Sequence, residues 1–208
     1  FILMIGLAFR KPEKFSVLRK NIVIEINSIG ISSLSIVVLL SLFMGAVMVI
    51  QTAANIDSPM IPAYTVGFAT RQSIILEFSS TMICLILAGK VGSNIASEIG
   101  TMRLTEQIDA LEVMGINSLN YLIFPKIVAM LVYPFVIAIA MFLGIIGAYT
   151  AAVYGGFTSN DAFLSGLQED FIPFQLFYAF FKTFLFAFLL ATIPSYHGYF
   201  MRGGALEV

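Results

Sequence analysis

Residues 91–115 read VGSNIASEIGTMRLTEQIDALEVMG, a polar stretch that lies between long apolar segments. Its charged side chains are Glu98, Arg103, Glu106, Asp109 and Glu112. Side chains that carry this much charge are too costly to place in hydrocarbon. We therefore expect the chain to leave an apolar environment here and to present a helix to an aqueous partner.

The composition of the chain excludes a soluble domain. Its 208 residues are 59% hydrophobic and 11% charged, with a mean hydropathy of +0.96, and a soluble fold has no interior large enough for so much apolar surface. The intervals without charge run from Glu25 to Asp57, from Lys126 to Asp161 and from Lys182 to Arg202. Each exceeds the roughly 18 residues that a membrane span needs. A fourth apolar segment is interrupted by Arg71 and Glu77.

These patterns predict an all-α integral membrane protein with two parts. Residues 1–24 would form an N-terminal interfacial helix and a basic segment, because the opening FILMIGLAF is too short to cross a bilayer. Residues 25–208 would form the membrane domain. Its predicted spans are about 28–50, 61–89, 127–154 and 174–201, with a cytoplasmic helix over about 97–114.

The distribution of charge predicts the topology. Cations precede the first span, surround the polar stretch and follow the last span: Arg10, Lys11, Lys14, Arg19, Lys20, Lys90, Arg103, Lys126 and Arg202. The loops 51–62 and 155–173 carry only acids: Asp57, Asp161, Glu169 and Asp170. Because cytoplasmic loops are enriched in lysine and arginine, we expect the N-terminus and residues 91–115 in the cytoplasm. Arg71 is then the only cation on the outer side.

Small residues recur every fourth position in the third span. One ladder is Gly144, Ala148, Ala152 and Gly156, and a second is Gly147, Ala151 and Gly155. Faces of this kind allow another helix to approach closely. The sequence leaves open whether that helix belongs to this chain or to a second copy.

Phenylalanines follow one face of the fourth span at spacings of three and four: Phe171, Phe174, Phe177, Phe181, Phe184 and Phe188. Two interpretations stay open. The residues are a stripe that faces lipid or packs on a helix, or they are an apolar wall for acyl chains.

Two ionisable residues, Glu77 and Lys182, lie in the outer halves of their spans. Such groups mark a wetted cavity or a partner. A mutual salt bridge, snorkelling of the lysine, or binding of a lipid headgroup would each account for them. An intramembrane enzyme that uses Glu77, Lys182 or His197 is one alternative function, and a passive scaffold is another.

The chain shows no motif for chemistry of its own. Cys84 stands where the first glycine of a P-loop ending at Gly89-Lys90 would be required, so energy from ATP would come from another chain. A single cysteine and a single histidine give neither a disulfide framework nor a metal site. No catalytic residue, cofactor, metal ligand or nucleic-acid contact is predicted.

The polar stretch itself predicts an amphipathic helix. Leu104, Ile108, Leu111 and Met114 fall on one face, and Glu106, Asp109 and Glu112 fall largely on another. Interfacial helices usually carry cations against anionic lipid, whereas this one is acidic. We therefore expect it to meet a basic protein surface.

The sequence resembles the MlaE (YrbE-type) permease family, the membrane subunits of ABC transporters that move phospholipids between inner and outer membranes. The resemblance depends on AGKVGS at 88–93, EIGTMRLTEQIDALEVMG at 98–115, LNYL at 119–122 and Pro125-Lys126. Weaker matches are Phe43, Gly45, Gln51, Lys182 and Gly198-Tyr199.

The resemblance implies a homodimer in the bacterial inner membrane that shares a lipid cavity. A cytoplasmic ATPase would bind ATP and Mg, often together with a small regulatory subunit, and a periplasmic ring of MCE domains would receive or supply phospholipid. Family members usually carry one more span after Gly198, and both ends of this sequence look truncated.

The resemblance also implies roles for individual residues. The helix 98–114 would be the coupling helix, with ATPase contacts at Glu98, Thr101, Met102, Arg103, Glu106, Gln107, Asp109, Ala110, Glu112 and Met114. Lipid would contact Gln51, Glu77, Phe177, Phe181, Lys182 and Phe184. Glu77 matches an intramembrane glutamate that often follows an arginine, whereas Leu76 stands here.

Overall fold

The computed structural model describes residues 1–9, 15–56 and 60–201, and helices dominate that part of the chain. The α-helices are α1 (Ile2–Ala8), α2 (Phe15–Glu25), α3 (Ser32–Asn55), α4 (Thr65–Ser73), α5 (Ile83–Leu87), α6 (Ser93–Leu104), α7 (Gln107–Val113), α8 (Ser118–Met130), α9 (Tyr133–Tyr154), α10 (Asn160–Gln168) and α11 (Pro173–Tyr199). Three π-helical segments, Ile26–Ile31, Ile74–Met82 and Ala88–Gly92, join α2 to α3, α4 to α5 and α5 to α6. No strand occurs within these described ranges.

Within the part of the chain that the structure describes, four helical segments are long and apolar enough to cross a membrane: Phe15–Asn55, Thr65–Leu104, Ser118–Tyr154 and Pro173–Tyr199. They confirm the predicted all-α membrane fold with four spans. The first two extend well past the predicted 28–50 and 61–89, because π-helical turns carry the helix on where a boundary was expected. The charges at 10, 11, 14, 57 and 202, which entered the topology prediction, lie outside the described residues.

The predicted helix over 97–114 is two helices, so the expectation of one continuous coupling helix is wrong. α6 ends at Leu104, and Glu106 adopts φ 58° and ψ 15° before α7 begins at Gln107. A residue in the left-handed region cannot continue a right-handed helix, so the chain bends here. We call residues 93–113, that is α6, the bend and α7, the coupling element, after the role that the sequence predicts for it.

Among the described residues, one compact unit consists of those within 1–33, 86–133 and 184–201. In this unit α1 is held by α8, whose Asn120 Nδ2 donates to the carbonyl of Ala8 at 2.6 Å. Asn117 also donates to the carbonyl of Leu7, at 3.3 Å. The end of the short first helix is therefore fixed to protein as well as being apolar on its exposed side.

The second compact unit consists of Leu34–Leu85 and Pro134–Thr183. Here α3 packs on α9 so closely that a Cβ added to Gly45 would overlap the carbonyl oxygen of Gly144. A Cβ on Gly147 would likewise overlap the carbonyl oxygen of Leu42. The helix that packs against the small-residue ladder thus belongs to this chain.

The two ladders are shorter than the sequence indicated. Ala148 and Ala152 are fully buried in a core with Val49 and Phe163. The last members, 155 and 156, lie beyond the end of α9, and Gly156 takes φ +71° in the turn that follows. Gly156 turns the chain, because glycine adopts positive φ without strain.

Arg71 is buried in the second unit, with 2% of its surface exposed. Its guanidinium donates to the carbonyls of Leu167 at 2.6 Å, Glu169 at 2.9 Å and Asp170 at 3.3 Å. These carbonyls end α10, where a cation is favoured by the helix dipole. The only cation predicted on the outer side therefore has a structural partner.

Candidate coupling surface and lipid-facing residues

α7 has one fully buried side chain, and its acidic side chains are exposed. Ile108 is fully buried, whereas the residues Glu106, Gln107, Asp109, Ala110, Glu112 and Met114 are exposed, as is Thr101 on α6. Met102 and Arg103 are half-buried. Most of the residues predicted to contact the ATPase therefore lie on an accessible surface of the coupling element.

The carboxylates of this surface differ in what holds them. Arg103 Nη1 and Asp109 Oδ1 are 2.7 Å apart across the bend, with 53% of the Asp109 side chain exposed. Within the ranges that the structure describes, no ion pair or side-chain hydrogen bond engages the Glu106 side chain. Glu106 thus presents its negative charge to solvent, whereas the charge of the equally accessible Asp109 is partly balanced by Arg103.

Glu112 is exposed but is bonded to other helices of its own unit. Its Oε1 accepts a hydrogen bond from Tyr199 Oη at 2.8 Å and another from Ser118 Oγ at 3.0 Å. Tyr199 and Ser118 are also 2.8 Å apart. This network fastens the end of α7 to α8 and α11, so Glu112 serves to position the surface more than to offer charge.

Glu98 takes part in a buried ion-pair cluster that the sequence did not predict. Lys126 Nζ lies 2.6 Å from Glu98 Oε2 and 2.6 Å from Glu25 Oε1. Only 1% of Lys126 is exposed, although the sequence treated it as a cation of the cytoplasmic side. A lysine embedded in the apolar run NYLIFPKIVAM was the available signal, but nothing in the sequence identifies partners 101 and 28 positions away.

An exposed apolar tip lies at the end of α7, and the sequence predicts only one of its two residues as a contact. Val113 is 89% exposed and Met114 is 65% exposed, and Gly115 ends the segment with φ +78°. Exposed apolar side chains at such a projection mark a contact site for another protein or for the membrane. Met114 had been predicted as a contact, whereas Val113 had not.

Lys182 and Glu77 do not form the mutual salt bridge that was one of the open interpretations. Lys182 Nζ donates to the carbonyl of Leu76 at 3.2 Å and lies 6.0 Å from the centre of the Tyr178 ring. Glu77 is exposed, and no ion pair to it occurs in the described part of the chain. Its carboxylate is therefore available to a ligand.

Most of the phenylalanine stripe faces outward from α11. The exposed members are Phe171, Phe174, Phe177, Phe181 and Phe184, which we call the phenylalanine face, and Phe188 is half-buried. Ala179, Thr183 and Ala187, on the opposite side of the helix, are fully buried. Gln51 near the end of α3 is exposed as well.

The helices define a multi-pass membrane protein whose bent segment 93–113 exposes acidic and apolar side chains. The family profile described as Permease MlaE matches residues 22–208. Among similar proteins, a probable ABC transporter permease of Rickettsia bellii is 32% identical over 200 residues, which are 96% of this chain and 75% of that protein. The chain belongs to the MlaE permease family.

Further relatives extend the likeness to cyanobacteria and red algae. A probable ABC transporter permease of Synechocystis is 30% identical over 191 residues, covering 91% of this chain and 72% of the relative. One of Porphyra purpurea is 32% identical over 193 residues, covering 88% and 70%. Membership in this family implies an ATPase partner.

Proposed function

We propose that this chain is the permease subunit of an ABC-type phospholipid transporter in a bacterial inner membrane, with its N-terminus in the cytoplasm. The observation that carries the proposal is the coupling element, which exposes Glu106 and Asp109 beside the apolar pair Val113 and Met114. Acidic charge and a projecting apolar tip together suit a groove with basic walls on a partner protein.

The remaining partners are part of the same proposal, which family membership supports. Two copies of the permease form the transport unit, and a separate cytoplasmic ATPase, with or without a small regulatory subunit, binds ATP and Mg. A periplasmic MCE-domain protein exchanges phospholipid with the dimer and so maintains the lipid asymmetry of the outer membrane.

The lipid-binding role rests on a mixed surface of apolar and ionisable groups. The phenylalanine face offers apolar contact that tolerates the shape of acyl chains. Glu77 and Lys182, with the polar Gln51, offer groups of both signs for a headgroup. Lys182 keeps two of its three donors after bonding Leu76, so it can contact a phosphate.

The mechanism is mechanical. ATP binding brings two ATPase subunits together, the coupling elements seated in them move, and the cavity of the permease dimer changes volume and releases or takes up lipid. Charged residues of the coupling element keep it seated, and the buried Ile108 keeps α7 attached to its own unit.

The double variant Glu106→Lys with Asp109→Lys tests the docking surface. We expect a loss of at least tenfold in ATPase stimulation and co-purification, because two attractive charges become repulsive, while the permease still inserts. The matched control is Glu106→Asn, which keeps a residue tolerant of the left-handed conformation and removes only one charge. If the ATPase still binds and responds to the double lysine variant, the docking role is refuted.

A further inference from the structure

Lys126, Glu25 and Glu98, here called the charge triad, join three separate helices of one unit. Glu25 is the last residue of α2, which runs on through a π-helical turn into the first span. Glu98 lies in the middle of α6, and Lys126 lies in α8. Both contacts to the ammonium are 2.6 Å, so Lys126 forms a charge-assisted hydrogen bond with each carboxylate.

Stability alone is a poor explanation for the charge triad. Moving the Lys126 ammonium and the Glu25 carboxylate out of water is costly, and apolar residues of similar volume at such sites often stabilise a protein equally well or better. An ion pair instead fixes geometry, because an ammonium that bonds two carboxylates holds their helices at one spacing. Buried ion pairs are best attested in this role of setting register.

The three side chains of the charge triad differ in their exposure to solvent. The Glu98 side chain is 46% exposed on the coupling element, whereas the Glu25 side chain is 14% exposed and the Lys126 side chain 2%. A second link runs in parallel, because Lys90 Nζ donates to the carbonyl of Ser32 at 2.7 Å. The segment that leads into α6 is thus tied twice to the beginning of the first span.

We propose that Lys126 is the positioning residue of coupling: it fastens α6 to α2, so that a displacement of the coupling element moves the start of the first span with it. Glu98 is then an internal partner of Lys126 and not a docking charge for the ATPase. This inference rests on the proposed function, since it assumes that a partner displaces the coupling element.

The test uses the permease with its ATPase in lipid nanodiscs and a variant that removes every charge of the triad. Lys126→Met with Glu25→Gln and Glu98→Gln leaves no buried charge without a partner. Spin labels at Ser16→Cys on α2 and Ser97→Cys on α6, in a Cys84→Ala background, report the distance between the two helices with and without trapped ATP. Lipid transferred per ATP hydrolysed is measured on the same preparations in vesicles.

We expect a narrow distance distribution in the unmodified triad in both nucleotide states. The neutral variant should give a broad or nucleotide-dependent distribution and about a tenfold lower ratio of lipid to ATP, with the ATPase still bound. Lys126→Arg, which keeps the charge, should retain the narrow distribution. If the triple variant does not insert, the single change Glu98→Gln takes its place. It removes only the contact between Lys126 and α6 and should likewise broaden the distance distribution and lower the ratio of lipid to ATP.

The control is Lys20→Met, the same substitution at an exposed lysine of α2, which should leave distances and ratio unchanged. Neutral variants with the distances and ratio of the unmodified protein would overturn the proposal, and so would a loss in Lys126→Arg as large as in the neutral variant. If the unmodified complex transfers no lipid, the proposed function fails, and the distance distributions still decide whether the triad joins α2 to α6.

Discussion

Two buried cations of this chain, Arg71 and Lys126, illustrate how single residues are used. Arg71 bonds three carbonyl groups at the end of α10, and Lys126 bonds two carboxylates. From the sequence both were merely positive charges to be counted on one side of a membrane. Their partners lie about a hundred positions away along the chain in four of these five contacts, so no local pattern could identify them.

The substitution Arg71→Met should lower the free energy of unfolding by about 2 kcal/mol, because it leaves buried carbonyls without their charged donor. Unfolding in mixed micelles with increasing denaturing detergent measures this change. Arg19→Met, at an exposed arginine of α2, is the control and should shift stability by less than about 0.5 kcal/mol. Equal stability of the two variants would show that the contacts of Arg71 contribute nothing.

Serine hydroxyl groups of the first span bond along their own helix and not to a neighbouring one. Serines in such a helix are expected to bond across to a neighbour. Ser33 and Ser41 instead donate to the carbonyls of Ile29 and Val37, four residues earlier in the same helix. Backbone carbonyls close to a side chain within its own helix compete effectively with partners on other helices.

At the scale of elements, the bend at Glu106 decides the shape of the coupling surface. The amphipathic pattern predicted for residues 91–115 holds in part: Ile108 is buried and the acids are exposed, but Leu104 and Leu111 are only half-buried and Met114 is 65% exposed. Helical periodicity cannot reveal one left-handed residue, because the apolar positions on either side keep nearly the same spacing. The bend brings Arg103 and Asp109 within 2.7 Å, a separation that closes an ion pair across it.

The contact between α3 and α9 depends on glycine at both helices. Gly147→Ala and Gly45→Ala should each lower the free energy of unfolding by about 1–3 kcal/mol, because the new methyl group meets a backbone carbonyl that cannot move aside. Thermal unfolding followed by circular dichroism in detergent measures the loss. Gly89→Ala is the matched control, since nothing lies within 4 Å of a Cβ there.

If both alanine variants unfold like the Gly89→Ala protein, close packing of these two helices is not what stabilises the second unit. A loss in all three would indicate a general effect of removing glycine from the chain. Only a loss confined to positions 45 and 147 fits the geometry.

At the scale of the whole molecule, the proposed topology places α7 and the loop that contains α10 on opposite sides of the membrane. Cysteine replacements in a Cys84→Ala background test it, since Cys84 is the only cysteine of the chain. Gln107 and Asp161 are both exposed positions. We expect a membrane-impermeant maleimide applied from the periplasm to label Asp161→Cys and to leave Gln107→Cys unlabelled.

Opening the inner membrane with detergent supplies the control, because both positions should then react. Labelling of Gln107→Cys in intact inner membranes would reverse the topology and remove the coupling element from the reach of a cytoplasmic ATPase.

The sequence by itself determined the all-α class, the four apolar spans, the solvent-exposed acidic segment and the family. These properties depend on local solvation, because each residue's preference for water or hydrocarbon is independent of its distant neighbours. Only the tertiary structure decided which of the charged side chains are bonded within the protein. Glu98, Asp109 and Glu112 are bonded to Lys126, Arg103 and Tyr199, whereas no ion pair or side-chain hydrogen bond engages Glu106 among the described residues, because a charge is satisfied by whatever group folding brings near it.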